Sequence, residues 1–307
     1  MALLIATPGR DVAVLVDHLQ RLEPALDLRV WPDCGRLEDI EFAVLWQQPP
    51  GLLAALPALK AVSSLGAGVE HVLADPDLPM DVPVGRLAGP RLGADMAAYL
   101  VAQVVSHWRR LAQFSALQAN TCWEPWAPES VPLVGLLGTG AMGSAVVRAF
   151  QALSIPVAGW NRSGAAQDDI PMHQGADGLM VLAGLADYLI CLLPLTPATR
   201  GILDADLFAR MKPDSVLINV ARGAHLDEMA LLAALERGRP GLALLDVFQQ
   251  EPLPPEHPFW QHPRVQITPH CASLTCMREA AELILESYGR VRAGQSPLGL
   301  VKRQQGY

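Results

Sequence analysis

Apolar residues in the first third of the chain fall in short runs closed by turn residues. Ala2–Ala6 and Phe42–Trp46 read as buried strands, each with Pro or Gly close behind. Ala61–Leu65 is a third, running into Gly66, Ala67 and Gly68. From about Ala94 to Leu117 the period changes. Met96, Leu100, Val104, Trp108 and Leu111 form one apolar stripe, with Asp95 in the first turn, where a negative charge suits the helix dipole. That stripe also suits a plain core helix. The Pro-rich segment 123–130 predicts a link crossing into a second set of elements. Beyond it, Leu133–Leu137, Val157–Trp160, Tyr188–Leu193, Ser215–Val220, Gly241–Val247 and Val265–Ile267 are largely apolar runs without polar alternation, most of them separated by helix-like segments. Such strands are buried on both faces, which predicts a parallel sheet covered by helices. A last helix, Met277 to Arg292, returns to the first domain. The predicted fold is α/β, with two Rossmann-like or flavodoxin-like doubly wound parallel-sheet domains. Their expected boundaries are 1–93 plus 283–307 for a substrate domain and 94–282 for a dinucleotide-binding domain.

Composition narrows the class. Of 307 residues, 51% are hydrophobic, enough for large cores and incompatible with wholesale disorder. A formal net charge of -8 argues against a general nucleic-acid or anionic-membrane binder, though not against a local basic pocket for a small anion. No run reaches the roughly 18 apolar residues of a membrane span. The opening residues lack the basic region of a secretory signal. Cys34, Cys122, Cys191, Cys271 and Cys276 are scattered without metal-binding spacing, and pairs such as Asp168-Asp169 read as solvated. The expectation is a soluble cytoplasmic protein with no metal, no nucleic acid and no membrane partner.

Gly138, Thr139, Gly140, Ala141, Met142 and Gly143 form GxGxxG. The pattern is weak alone, but here it follows an apolar strand and opens a helix-like run, as the dinucleotide fingerprint requires. Gly138 permits the tight turn, Gly140 the approach of a pyrophosphate, and Gly143 the packing of helix on strand. The anion then sits on the N–H groups of a helix N-terminus. NAD enzymes place an Asp or Glu at the end of the next strand, to hold the ribose 2′-OH. This strand ends instead in Trp160, Asn161, Arg162 and Ser163. Arg162 can pair with a 2′-phosphate, and Asn161 and Ser163 can donate hydrogen bonds to it. The residues therefore favour NADP(H), with NAD(H) the alternative. Trp160 suits either the core or the adenine, and the core is the more ordinary place.

Three further residues each follow a predicted strand: Arg222 after Ser215–Val220, Glu251 beyond Gly241–Val247, and His270 after Val265–Ile267. Ligands of open parallel sheets bind outside the carboxyl ends of the strands. An arginine, a glutamate and a histidine that all leave such ends define a candidate site, although each alone is unremarkable.

These stretches together resemble the D-2-hydroxyacid dehydrogenase family, and more narrowly its branch acting on glyoxylate and hydroxypyruvate. The resemblance rests on Gly135-Leu-Leu-Gly-Thr-Gly-Ala-Met-Gly, Trp160-Asn-Arg-Ser, Leu193-Pro-Leu-Thr-Pro-Ala-Thr-Arg-Gly-Ile-Leu and Leu217-Ile-Asn-Val-Ala-Arg-Gly. Leu245-Asp-Val-Phe-Gln-Gln-Glu-Pro-Leu-Pro, the segment from Pro258 to His270 and the Gln-Gly-Tyr ending complete it. In the first domain only Leu65-Gly-Ala-Gly and the Met96–Arg110 helix match clearly.

The resemblance implies NADPH-dependent reduction of small 2-keto acids, glyoxylate to glycolate and hydroxypyruvate to D-glycerate, by a homodimer. It implies that Arg222 binds the substrate's carboxylate and carbonyl oxygen and that His270 protonates that oxygen. Glu251 then orients His270 and favours its protonated form. Leu65, Gly66, Ala67 and Gly68 are implied to bind substrate. Leu193, Pro194, Val220, Ala221, Asp246, Ala272 and Ser273 are implied to line the cofactor. Two alternatives stay open on the sequence: an NADH-dependent D-lactate-type or broader 2-keto-acid reductase, and a nucleotide-sensing dimeric interaction protein, since a fold does not fix a function. Cys271 reads as a small filler, and as a redox handle only if exposed with a lowered pKa. Packing is the expected role of His71, Trp46, Trp123 and Trp126.

Overall fold

A computed structural model describes residues 2–162 and 170–307. The chain divides into two compact units, Met1–Leu92 with Thr275–Tyr307, and Gly93–Leu274.

The first unit carries strands β1 (Ala2–Ala6), β2 (Leu28–Val30), β3 (Ile40–Leu45), β4 (Ala61–Ser64) and β5 (Val84–Arg86), and helices α1 (Ala13–Leu22) and α2 (Glu70–Leu73). They form a parallel sheet in the order β2-β1-β3-β4-β5. Every residue of β1 is buried because the sheet is covered on both sides. Leu3 and Ile5 of β1, with Phe42 and Val44 of β3, pack in one cluster with Leu15 and Leu19 of α1. Ala2, Leu4 and Ala6 face the opposite cluster with Leu45, Val62 and Val84.

The second unit opens with α3 (Pro90–Trp108), whose first residues precede the boundary, and α4 (Leu111–Ala119). Strands β6 (Val134–Leu137), β7 (Val157–Asn161), β8 (Met172–Gln174), β9 (Tyr188–Cys191), β10 (Val216–Asn219), β11 (Leu242–Leu245) and β12 (Val265–Ile267) follow. Between them run α5 (Ala141–Ala152), α6 (Gly175–Leu185), α7 (Ala205–Arg210) and α8 (Glu228–Glu236). The sheet order is β12-β11-β10-β9-β6-β7-β8, all parallel. Strand order reverses between β6 and β9, the switch point at which such sheets bind nucleotides. The register sets Leu137, Cys191, Asn219, Leu245 and Ile267 in one row. The loops after these five strands therefore leave from one level edge.

The structure corrects three expectations. The predicted helix from Ala94 to Leu117 is two helices, because Arg110 adopts a left-handed backbone, φ 54°. The stripe is buried only through Met96, Leu100 and Val104. Beyond it the Trp108 indole donates to the Ser130 carbonyl at 3.0 Å, and the Arg110 guanidinium lies 4.1 Å over the Trp126 ring. The Pro-rich segment thus folds within the second unit and is no crossover. The chain crosses at 92/93 and 274/275, not at 93/94 and 282/283. Helix α9 (Met277–Arg292) belongs wholly to the first unit, since its Ala280, Ala281, Ile284, Tyr288 and Val291 share a core with Leu3 and Phe42.

Candidate active site

The glycine turn joins β6 to α5, and each glycine has a separate reason. Gly138 sits at φ +99°, and a Cβ there would come within 2.9 Å of the Leu192 carbonyl oxygen. At Gly143 a Cβ would lie 2.4 Å from the Gly138 carbonyl oxygen, so only glycine lets α5 start this close to the turn. Gly140 has nothing within 4 Å of its absent Cβ, leaving open space in front of the helix N-terminus. No side chain caps that terminus. Ala141 and Met142 form its first turn. The arrangement fits a pyrophosphate, which needs close backbone approach and N–H groups to meet it.

At the end of β7, Trp160 is buried and its indole donates to the Gly175 carbonyl at 2.8 Å, so the side chain serves the core. The Asn161 amide donates to the Thr139 hydroxyl at 3.4 Å, tying this strand end to the glycine turn. Arg162 is exposed beside it. Ser163 lies outside the described residues.

After β9, Leu193 is buried and Pro194 half-buried. After β10, Val220 and Ala221 are buried, and the chain turns to present Arg222. Asn219 builds that turn with its side chain: Oδ1 accepts from the Ala221 N–H at 3.2 Å, and the Nδ2 amide donates to the Arg222 carbonyl at 3.1 Å. The Arg222 guanidinium donates to the Ala221 carbonyl at 2.7 Å.

His270 follows β12 and holds φ 51°, a left-handed conformation that disfavours side chains. Asp246, at the end of β11, secures it. The Asp246 carbonyl accepts from the His270 N–H at 2.8 Å. Its buried carboxylate accepts from the Thr268 hydroxyl at 2.6 Å and from the N–H groups of Cys271 and Ala272 at 2.9 and 3.0 Å. The Tyr99 and Thr268 hydroxyls meet at 2.7 Å. The Asp246 carboxylate is thus spent on holding the loop that carries His270, Ala272 and Ser273.

The His270 Nδ1 and the Glu251 carboxylate are 2.6 Å apart. Burial pushes the Glu251 carboxyl up. The hydrogen bond from His270, that from the Phe248 N–H and the nearby charges of His270 and Arg222 outweigh it, so the group stands below the usual carboxylate range. An ionised carboxylate only accepts, so Nδ1 carries the hydrogen and Nε2 is the ring's other working atom.

Arg222, Glu251 and His270 therefore leave neighbouring strands at one edge, as the sequence predicts. Cys271 is exposed and so is not a filler. Burial and the Asp246 carboxylate push its thiol up, the wrong direction for a redox handle. In the first unit, Leu65–Gly68 follows β4. The Ser64 hydroxyl donates to the Gly68 carbonyl at 2.6 Å, and a Cβ on Gly66 would meet the Trp46 ring at 3.0 Å. Trp46 lies 4.0 Å from the Arg10 guanidinium and 4.7 Å from the His71 ring, packed as expected. Trp123 is not packed; it is 95% exposed.

Asn219, Thr268 and Tyr99 were not singled out by the sequence. The one signal available was polarity: Asn219 interrupts an otherwise apolar strand.

Residues 101–272 match the model of the D-isomer specific 2-hydroxyacid dehydrogenase NAD-binding domain. The chain belongs to the D-isomer specific 2-hydroxyacid dehydrogenases, as NAD(P)-dependent enzymes. Within that family it is 37% identical over 314 residues to glyoxylate/hydroxypyruvate reductase A of Yersinia enterocolitica, covering 100% of both chains. It is 39% identical to the protein of that name from Serratia proteamaculans, over 94% of each. Among solved structures it is similar to a D-isomer specific 2-hydroxyacid dehydrogenase from Xanthobacter autotrophicus Py2 in complex with NADPH and MES. There the TM-score is 0.93 at 35% identity, covering 100% of this chain and 99% of that one. It is also similar to an NADPH-dependent glyoxylate/hydroxypyruvate reductase from Sinorhizobium meliloti in complex with NADP and sulfate, at a TM-score of 0.92 and 33% identity over 100% of both.

Proposed function

We propose that this protein reduces small 2-keto acids with NADPH, taking glyoxylate to glycolate and hydroxypyruvate to D-glycerate. The observation that carries the reading is the 2.6 Å His270–Glu251 pair at the same sheet edge as Arg222. The full-length likeness to reductases of that name supports the substrate class. Arg162 and Asn161, in place of a carboxylate at the end of β7, support the choice of NADPH.

The cofactor supplies a hydride when bound on the Gly138–Gly143 turn. The chain's own residues do the rest. The planar fork of the Arg222 guanidinium binds the carboxylate of the keto acid and polarises its carbonyl oxygen. His270 gives the proton on Nε2 to that oxygen as the carbonyl carbon is reduced, while Nδ1–H stays on Glu251 and fixes the ring plane. The hydroxyl so formed and the neutral imidazole balance the step, and the ring regains its proton from solvent. Leu65–Gly68 is assigned a substrate-binding role through its backbone. Leu193, Pro194, Val220 and Ala221 are assigned to the cofactor, together with Ala272 and Ser273.

The test follows nicotinamide absorbance with glyoxylate, hydroxypyruvate and pyruvate, each offered with NADPH and with NADH. Rapid NADPH oxidation by the first two is expected. Preference for pyruvate with NADH instead points to the D-lactate-type alternative, and cofactor binding without turnover points to a sensor.

The same reading includes a homodimer in the cytoplasm. Helix α4 has no buried residue although Leu111, Phe114 and Leu117 are apolar, and Trp123 stands exposed nearby, which supports a second copy as its cover. No described helix is long and apolar enough to cross a membrane. Sedimentation of the purified protein at twice the monomer mass is the expected result.

A further inference from the structure

His225 lies three residues beyond Arg222 and is completely buried, yet no step above uses it. Its Nδ1 is 3.1 Å from the Arg222 carbonyl oxygen, and its Nε2 is 3.3 Å from the Pro194 carbonyl oxygen. Both neighbours are acceptors, so the ring can only donate to them. The neutral form donates to one, and the imidazolium to both. An apolar side chain would fill this space without the cost of burying a polar ring. The position therefore asks for a donor.

The surroundings show what the donor joins. Pro194 follows β9 two residues after Leu192, whose carbonyl abuts Gly138, so the Pro194 loop borders the dinucleotide turn at the switch point. Arg222 follows β10. The two loops are stitched by backbone as well: Gly201 N–H to the Ala224 carbonyl at 3.0 Å, Leu203 N–H to the His225 carbonyl at 2.9 Å, and Asp227 N–H to the Leu203 carbonyl at 3.0 Å. On the far side the turn has no room to yield, since a Cβ on Gly223 would fall 1.8 Å from the Phe248 carbonyl carbon. The His225 ring is a side-chain link from the Arg222 carbonyl, which also accepts from the Asn219 amide, to the Pro194 carbonyl, which also accepts from the Thr199 hydroxyl at 2.7 Å.

We propose that His225 is a positioning residue whose two ring nitrogens hold two loops separately, Nδ1 the Arg222 turn that carries the substrate clamp and Nε2 the Pro194 loop that beds the cofactor. The proposal rests on the reading of Arg222 as the carboxylate clamp. It separates two arms of one ring, and two substitutions divide them. His225→Asn keeps a donor near Nδ1, toward Arg222, and gives up the reach to Pro194. His225→Gln keeps the reach of Nε2 and gives up the short arm.

The experiment measures kcat and the KM values for NADPH and glyoxylate in both variants, with melting temperatures and with Arg222→Ala alongside. His225→Asn is expected to raise the KM for NADPH about tenfold and to leave that for glyoxylate unchanged. His225→Gln is expected to do the reverse, again by about tenfold. Folded variants that lower the melting temperature but leave both KM values alone overturn the proposal and make His225 a packing residue. Equal rises of both KM values in both variants also overturn it, because the arms then have no separate tasks. If Arg222→Ala leaves the glyoxylate KM unmoved, the clamp reading fails and takes the proposal with it. If Arg222→Ala raises that KM and the His225 variants do not divide as stated, the proposal alone falls.

Discussion

His270 works from a backbone conformation that an L-residue adopts at a cost of about 1–2 kcal/mol, and Asp246 offsets that cost with hydrogen bonds on both sides of it. Its neighbour Glu251 orients the ring. Changing His270 to Ala is expected to lower turnover about a hundredfold or more while NADPH still binds, read by single-turnover kinetics and cofactor fluorescence. The Glu251 carboxyl has a lowered folded-state value, so its contribution to stability is complete above the ordinary glutamate pKa of about 4.3 and is lost as pH falls through the lower value. The melting-temperature gap between the protein and Glu251→Gln should accordingly be flat at neutral pH and close only below about pH 4. Arg162→Ala should weaken NADPH by about tenfold or more and spare NADH, because only the 2′-phosphate needs the guanidinium. Equal weakening of both, in parallel titrations, removes Arg162 from cofactor choice. At this scale the sequence disclosed the candidate residues that leave the strand ends and hid those that hold them. Arg222, Glu251 and His270 stand out by type and by following strands. Thr268 and Tyr99 do not, since the hydroxyls that meet come from positions 169 residues apart.

Among the elements, legibility followed burial. Continuous apolar runs announce β1, β6, β9, β10 and β11 because these strands are enclosed on both faces. The unannounced strands β2, β5 and β8 are three residues long and sit at sheet edges, where a single neighbour fixes them and no pattern is required. The break at Arg110 was equally silent, since neither Gly nor Pro marks it. The glycine turn offers a paired test. Gly143→Ala puts a methyl 2.4 Å from the Gly138 carbonyl oxygen and should destabilise the fold by about 1–3 kcal/mol, seen by denaturant unfolding. Gly140→Ala meets nothing within 4 Å, so it should leave stability nearly intact and weaken the dinucleotide alone. A stability loss of the same size at both positions contradicts the separate roles assigned to them.

The molecule as a whole is a continuous unit set inside a discontinuous one. Residues Gly93–Leu274 contain both of the second sheet's core clusters without help from the rest of the chain. A fragment spanning 93–274 should therefore fold cooperatively and bind NADPH, with no turnover of glyoxylate; a fragment that melts without a transition shows that the clusters are not self-sufficient. The first unit has no such independence. Its sheet is closed by α9 and by the segment after it, where the Val301 N–H donates to the Val84 carbonyl at 2.8 Å.

That arrangement has a consequence for the order of events during synthesis. The ribosome delivers Leu3, Ile5, Phe42 and Val44 first, but Ala281 of the helix that covers them comes 237 residues after Val44 and 278 after Leu3. At a translation rate of about 5–20 residues per second the uncovered sheet face waits for ten seconds or longer, while the inserted unit has already emerged complete. The nascent protein thus carries a finished nucleotide-binding body beside an open apolar sheet, and that interval is when chaperones have the most surface to hold.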